Sequence, residues 1–256
     1  MLPRNAKHRE LISVLDHPTL DRMVRKLETR APLDESDREA LLGLRFIDRT
    51  YEPSAFLIRE GMVATHCALI IEGFAFRQKL GIDGGRQIVS FHVPGDFVDL
   101  ENSMLRVADH NVQMLTRCRV AEIPVRDIIA LIETNPRVAR ALWVDTLIDA
   151  SIYREWIMNV GRRPAKLRLA HLYCELAKRL KLAGLGDESG YRMPMTQEQL
   201  ADATGLTPVH VNRSLKALEA DGLIQREGRF VSIPDWPRLR HACDFSELYL
   251  HLDQAT

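Results

Sequence analysis

Twelve residues, Thr207 to Leu218, hold Arg213, Lys216, His210 and Asn212 with no acidic side chain among them. These are groups that can read a nucleic-acid duplex. An arginine can donate two parallel hydrogen bonds to O6 and N7 of guanine, and an asparagine can read the adenine edge. Lys216 and the Thr207 hydroxyl suit phosphate oxygens, which position a protein without specifying sequence. Val209 offers only apolar contact, for example with a thymine methyl. Two readings of His210 and of Asn212 stand side by side: a base contact, or a solvated or phosphate-facing side chain. Arg213 has the plainer alternative of a surface charge.

To reach one groove, these side chains must project from a helix held end-on, and the flanking residues supply one. Thr196 with Gln199 three residues on is a capping box, and Leu200 and Ala203 give a short helix its buried face. Gly205 stops that helix, and Leu206 plugs the turn. Thr207 is a second N-cap, with Pro208 at the first helical position, where a missing N–H costs nothing. Val211, Leu215 and Leu218 form the second buried face. Pro208, Val209, His210, Asn212 and Arg213 therefore point outward at the end that enters a major groove. Two short helices about a glycine turn make a helix-turn-helix, with its recognition helix at about 207–219. Asp221-Gly-Leu-Ile224 then leads into Arg226-Glu-Gly-Arg-Phe-Val-Ser-Ile233. This reads as strand, turn and strand, a wing with Arg226 and Arg229 at its tip facing phosphate. With Thr196 at the start of the first helix, these residues are the candidate contacts to double-stranded DNA. The alternative is a helical hairpin packed on another element; two caps, a glycine turn and a wing in order favour DNA.

Upstream the texture changes twice. From about 51 to 124, short apolar runs such as Ala55–Ile58, Ala68–Ile71, Phe74–Phe76, Gln87–Phe91, Val112–Leu115 and Arg119–Ile123 alternate with turn residues, including Asp83-Gly-Gly85. Strands at this spacing predict a small antiparallel barrel or roll. The first 50 residues read as helical, with faces Leu11, Val14, Leu15 and Leu20, Val24, Leu27, and Ser36 with Glu39 as a capping box. From Val125 to Val160 the chain reads as helix, uninterrupted by Gly or Pro over 137–160; about 24 residues span roughly 36 Å. Leu142, Ile148, Ile152 and Trp156 lie in its apolar stripe. That stripe either packs inside the chain or pairs with a second copy, and its length beside a small barrel favours the second. Gly161 and Pro164 end the helix. The expected organisation is α+β: helices and an antiparallel β-roll over 1–135, a long dimerisation helix over 136–161, and a winged helix-turn-helix over 162–256.

The chain has 256 residues with 35 Lys+Arg against 35 Asp+Glu, a net charge of zero. It is too apolar and too evenly charged for disorder. Zero net charge argues against non-specific coating of nucleic acid, although the balance is regional: 21 basic against 23 acidic residues over 1–160, and 14 against 12 over 161–256. The four cysteines, Cys67, Cys118, Cys174 and Cys243, show neither a C-x-x-C spacing nor a paired histidine cluster. This argues against a disulfide framework or structural zinc and fits a reducing cytoplasm. The N-terminus lacks the apolar stretch of a signal peptide, and no apolar run approaches the roughly 18 residues of a membrane span. No Gly-rich phosphate loop, metal-ligand cluster or G-x-S-x-G motif marks an enzyme. A cytoplasmic, non-enzymatic protein without cofactor or membrane partner is expected.

Barrel, long helix and winged helix-turn-helix, in that order, resemble the Crp/Fnr family of bacterial transcription regulators. The residues carrying the resemblance are Ile70-Ile-Glu-Gly73, Pro94-Gly-Asp-Phe97, Val120-Ala-Glu-Ile123, Leu200-Ala-Asp-Ala-Thr-Gly-Leu-Thr207 and Val211–Ile224. It covers roughly residues 30–240. The resemblance implies a cyclic-nucleotide-binding-like roll, a homodimer along the long helix, a palindromic promoter site and contact with RNA polymerase. Where the family's recognition helix often has an Arg-Glu pair after the cap, Pro208 and Val209 stand here, whereas the later arginine is kept as Arg213. A different half-site is implied. The cyclic-AMP-binding members have a Gly-Glu-Leu segment and an Arg-Ser pair; the matching stretches are Asp99-Leu-Glu-Asn102 and Ala108-Asp-His-Asn111. Asp109 would repel a phosphate. The reading is a regulator with an unidentified small-molecule effector or none. A genuine cyclic-nucleotide sensor, or a regulatory roll acting only through protein contacts, is the alternative. Iron–sulfur sensing needs an N-terminal cysteine cluster, and residues 1–66 contain no cysteine. His66 and Cys67 are a possible haem pair, but neighbours on a strand face opposite sides, which favours a buried Cys beside an exposed His.

Overall fold

The structure, a computed structural model, describes residues 18–252 and residue 254; the face Leu11, Val14 and Leu15 lies outside them. Helices α1 (Pro18–Glu28) and α2 (Glu35–Leu42) come first. The capping box of α2 is formed by Asp34 and Asp37, not by Ser36 and Glu39: Asp37 N donates to Asp34 Oδ1 and Asp34 N to Asp37 Oδ2, each at 3.0 Å. A carboxylate is the stronger acceptor at a helix N-terminus, and Ser36 itself donates to Asp34 at 2.7 Å.

Strands β1 (Ile47–Tyr51), β2 (Phe56–Ile58), β3 (His66–Glu72), β4 (Ala75–Leu80) and β5 (Arg86–His92) follow. A 3-10 turn (Leu100–Ser103), β6 (Asn111–Met114) and β7 (Cys118–Pro124) complete the expected antiparallel roll. One sheet runs β1-β7-β3 and the other β2-β6-β4-β5. Alternation along β3 explains its unbroken apolar run. Ala68 and Ile70 join Val112, Met114 and Val120 in one cluster, while Cys67, Leu69 and Ile71 meet Leu20, Val24 and Leu41 of the covering helices in another. A strand buried on both faces has no polar side. The β3–β4 turn requires glycine: Gly73 has φ +85°, and a Cβ there would sit 2.3 Å from the Arg117 carbonyl.

The expected helical stretch from Val125 is two helices, α3 (Val125–Thr134) and α4 (Pro136–Arg162). Pro136 disfavours helical geometry at the preceding residue, and Asn135 is extended at φ −127°, ψ 86°. The 27 residues of α4 span about 40 Å. Gly161 lies inside this helix. A single glycine costs only about 1 kcal/mol relative to alanine, so it is Pro164 that ends the run and opens α5 (Ala165–Leu182).

The face of α4 that packs on its own chain corrects one expectation. Leu142, Ile148, Ile152 and Trp156 are all buried within the chain. Leu142 sits against the N-terminal helices, and the other three join α5 and the C-terminal core. Trp143, Leu147, Ile157 and Met158 are exposed instead, at 69%, 53%, 72% and 48%. Apolar residues recur on two sides of this helix, and periodicity alone could not say which side the chain itself covers.

The C-terminal unit comprises β8 (Gly186–Asp187), β9 (Gly190–Arg192), α6 (Gln197–Thr204) and α7 (Pro208–Ala220), then β10 (Gln225–Glu227), β11 (Phe230–Ser232) and α8 (Trp236–Ala242). The ribbon runs β10-β11-β9-β8, so the wing joins the small ribbon before α6. A tail after α8 crosses back to α1: Arg30 Nη1 donates to the His251 carbonyl at 2.7 Å, and Gln254 N to the Thr29 carbonyl at 2.8 Å.

Candidate nucleic-acid interface

Local chemistry sets the reading head. Thr196 accepts from Gln199 N at 3.2 Å, and Gln199 Oε1 accepts from Thr196 N at 2.8 Å. Gly205 ends α6 in the left-handed region at φ +63°, with its Cβ position 3.1 Å from Val160 of α4. The turn is therefore held against the long helix as well as by its own backbone. Arg168 adds a brace, donating to the Arg163 carbonyl at 2.7 Å and to the Thr204 carbonyl at 3.0 Å. Thr207 caps α7 by accepting from His210 N at 3.3 Å, with Pro208 in the first turn.

Val211, Leu215 and Leu218 are buried, while Thr207, Pro208, Val209, His210, Arg213 and Lys216 are exposed. This is the division that the spacing predicts. Asn212 is half-buried and donates to Gln197 Oε1 at 3.5 Å, so its amide lies between the two helices. The wing separates the two arginines paired in the sequence reading. Arg229 is exposed beside Gly228 at the turn. Arg226 is not at the tip: from β10 it donates to Glu219 of α7 at 3.0 and 2.8 Å and holds that carboxyl below its usual range. A planar guanidinium matched to a carboxylate gains two charge-assisted bonds, and the carboxylate lies seven residues upstream, on another element. Arg192, exposed on β9 opposite Phe230 of the wing, joins the basic face; nothing in its local sequence marks it.

The roll interior is built differently. Arg77 of β4 is 3% exposed. It donates to the Val98 carbonyl at 2.9 and 2.7 Å, to Glu101 at 3.0 Å, to Asp149 of α4 at 3.2 Å, and to the Tyr153 hydroxyl. Burial opposes its charge, but Tyr153, Glu101 and Asp149 keep it protonated. The guanidinium thus occupies the space between the sheet, the 3-10 turn and α4. Nearby Asp99 is 1% exposed and accepts from Ala68 N at 2.7 Å; burial pushes its carboxyl up to about 7. Asp96 goes the other way. Burial disfavours its charge, yet Lys26 at 2.9 Å and Arg179 at 3.0 Å hold it well below the usual range. The Pro94-Gly95-Asp96 turn therefore ties the roll to α1 and α5.

Burial also raises the thiols of Cys67, Cys118 and Cys174, and Cys174 lies 3.7 Å from Cys243. His66 is half-buried and Cys67 fully buried, so the pair is divided between faces. Among the described residues, no group of three His, Cys, Asp or Glu is arranged to hold a metal ion. No described helix is long and apolar enough to cross a membrane.

Two family models match this chain, a cyclic nucleotide-binding domain over residues 48–135 and a Crp-like helix-turn-helix domain over residues 167–242. The transcriptional activator protein FnrL of Cereibacter sphaeroides is 31% identical over 217 residues, covering 82% of this chain and 86% of the relative. The nitrogen fixation regulation protein FixK of Azorhizobium caulinodans is 24% identical over 209 residues, with 81% and 84% covered. Among solved structures, FixK2 from Bradyrhizobium japonicum superposes with a TM-score of 0.70 at 24% identity, covering 82% of this chain and 98% of that one. With roll, long helix and winged helix-turn-helix in the same order along most of its length, the chain belongs to the Crp/Fnr family of DNA-binding transcription regulators.

Proposed function

We propose that this regulator reads a palindromic promoter site as a homodimer, with Arg213 as its principal base contact. The observation that carries this reading is the exposed first half of α7. Val209, His210 and Arg213 stand clear at the positive end of a helix whose opposite face is locked in the core. Thr196, Thr207, Lys216 and Arg229 serve the phosphates on either side. Arg192 extends that set, and Arg226 acts by fixing the wing against α7. The contacts per chain are few, so a second copy supplies the remaining affinity.

The second copy pairs along the exposed stripe of α4. Trp143, Leu147, Ala150, Arg154 and Ile157 recur at alternating spacings of four and three, the repeat of a helix pair. Three of these, Trp143, Leu147 and Ile157, are exposed large apolar side chains, which a chain covers by association. Contact with RNA polymerase and function in the cytoplasm belong to the same reading. Because the Arg77 guanidinium between the sheet and α4 is fully engaged by the chain's own acceptors, the effector is something other than a cyclic nucleotide, or there is none.

Selection of bound DNA from a random pool tests the proposal. A palindrome is expected, and Arg213→Ala should relax one base position by about 1–3 kcal/mol. Trp143→Glu with Leu147→Glu should give monomers by sedimentation and weaken binding to the palindrome to half-site level. An unchanged Arg213→Ala profile would show the recognition helix to be misassigned. Absence of any salt-dependent DNA binding would remove the phosphate contacts and favour a roll that works through protein contacts alone.

A further inference from the structure

We infer that a cavity of about 300 Å³, enclosed by α1, the Val93–Asp96 turn, α4, the end of α5 and the C-terminal tail, is a binding site for a small amphipathic carboxylate. Arg77 itself does not line it; the two share only Asp149, which faces the cavity and accepts from Arg77 at 3.2 Å. The helices α1 and α4 and the tail lie outside the segments matched by either family model. The volume is at the lower end of small-molecule sites, and a junction between units is where such sites concentrate.

The lining specifies the ligand class. Five Lys/Arg side chains face three Asp, which gives the cavity a net positive charge. Four of the five cations are already paired, and at the rim Arg25 meets Asp21 at 2.7 Å. Lys26 meets Asp96 and Asp145 at 2.9 and 2.8 Å, Arg30 meets Asp145 at 3.2 Å, and Arg179 meets Asp96 at 3.0 Å. Arg22 differs: it is exposed at the mouth and has no ion-pair partner among the described residues. One cation is thus left for one anionic group, at the rim, where its desolvation cost is small. Below it the wall is aliphatic. Ile148 and Ile152 of α4 and Leu250 of the tail line the interior, and Leu182 at the end of α5 stays 58% exposed. A carboxylate on Arg22 with an unbranched aliphatic body against these residues satisfies both features; a dianionic nucleotide would find one free cation and no donor for its second charge.

Calorimetry on the full chain with hexanoate, octanoate, decanoate and octanol tests the site. Octanoate is expected to bind saturably at one site per chain, each added methylene tightening binding by roughly threefold to fourfold. Octanol should bind at least tenfold more weakly than octanoate. Arg22→Gln should remove that difference while leaving octanol unchanged, and Leu182→Asp should weaken both; each is a substitution of an exposed side chain, and thermal unfolding checks that the fold is kept. Absence of saturable heat, indifference to chain length, or octanoate binding unchanged in both variants would each overturn the proposal. The titration contains no DNA, so its failure leaves the proposed DNA reading standing, and failure of that reading leaves this site standing.

Discussion

Arg77 and Arg213 have the same side chain and opposite fates. Arg213 stands in solvent on α7, while Arg77 is enclosed in the roll with every neighbour turned toward it. A guanidinium that already holds two carbonyl contacts, two carboxylates and a phenol has no donor left for a ligand. A guanidinium in solvent keeps all five. Two regions of one regulator have therefore placed their cations differently: the winged helix leaves them in solvent, and the roll uses them to fix its own elements. The wing repeats the contrast on a smaller scale, with Arg229 open and Arg226 tied to Glu219.

The comparison breaks most sharply at Arg77. Arg77→Met leaves Glu101 and Asp149, 25% and 33% exposed, without their shared cation, and the cost should approach but not exceed the figure of about 3–5 kcal/mol for a fully buried network. Urea unfolding measures this; a loss below 1 kcal/mol would mean that the cage contributes little. Asp99 gives a second test on the same side. Its carboxyl titrates at about 7 in the folded chain, so between the ordinary carboxylate range and pH 7 the folded state keeps a proton that the unfolded state has released. The unfolded state binds fewer protons, and this group's contribution to stability falls as pH rises through the window, by roughly 1.4 kcal/mol per unit. Asp99→Asn should flatten that slope while keeping the acceptor for Ala68 N; an identical slope in the variant would remove Asp99 as its source. The wing supplies the smallest effect. Arg229→Ala should lower the slope of log affinity against log salt by about one per chain, the signature of one lost phosphate contact. Arg226→Ala should leave that slope unchanged and loosen the wing. Equal slopes in the two variants would erase the distinction between open and tied arginines.

The helix-turn-helix was legible because each of its determinants acts within a few residues. Thr196 bonds Gln199, Gly205 turns on its own φ, Thr207 bonds His210 N, and Val211, Leu215 and Leu218 repeat at helical spacing. The roll was legible as strands and turns for the same reason. The capping box at Asp34 was misplaced by two residues because Ser and Asp are both good caps and both were present. The four residues of α4 that the spacing offered to a second copy are buried within the chain, because two apolar rows share that helix.

By itself the sequence determined the order of units, the reading head and the outward position of Arg213, since these follow from caps, turns and periodicity over three to seven residues. Only the tertiary structure decided which face of α4 is free, that Arg226 is bound and Arg229 open, and that the roll carries its own cation. Each of these depends on partners that folding brings from a distance. Arg77 takes its contacts from residues 21, 24, 72 and 76 positions away, and nothing in the residues adjoining it in the chain carries that information.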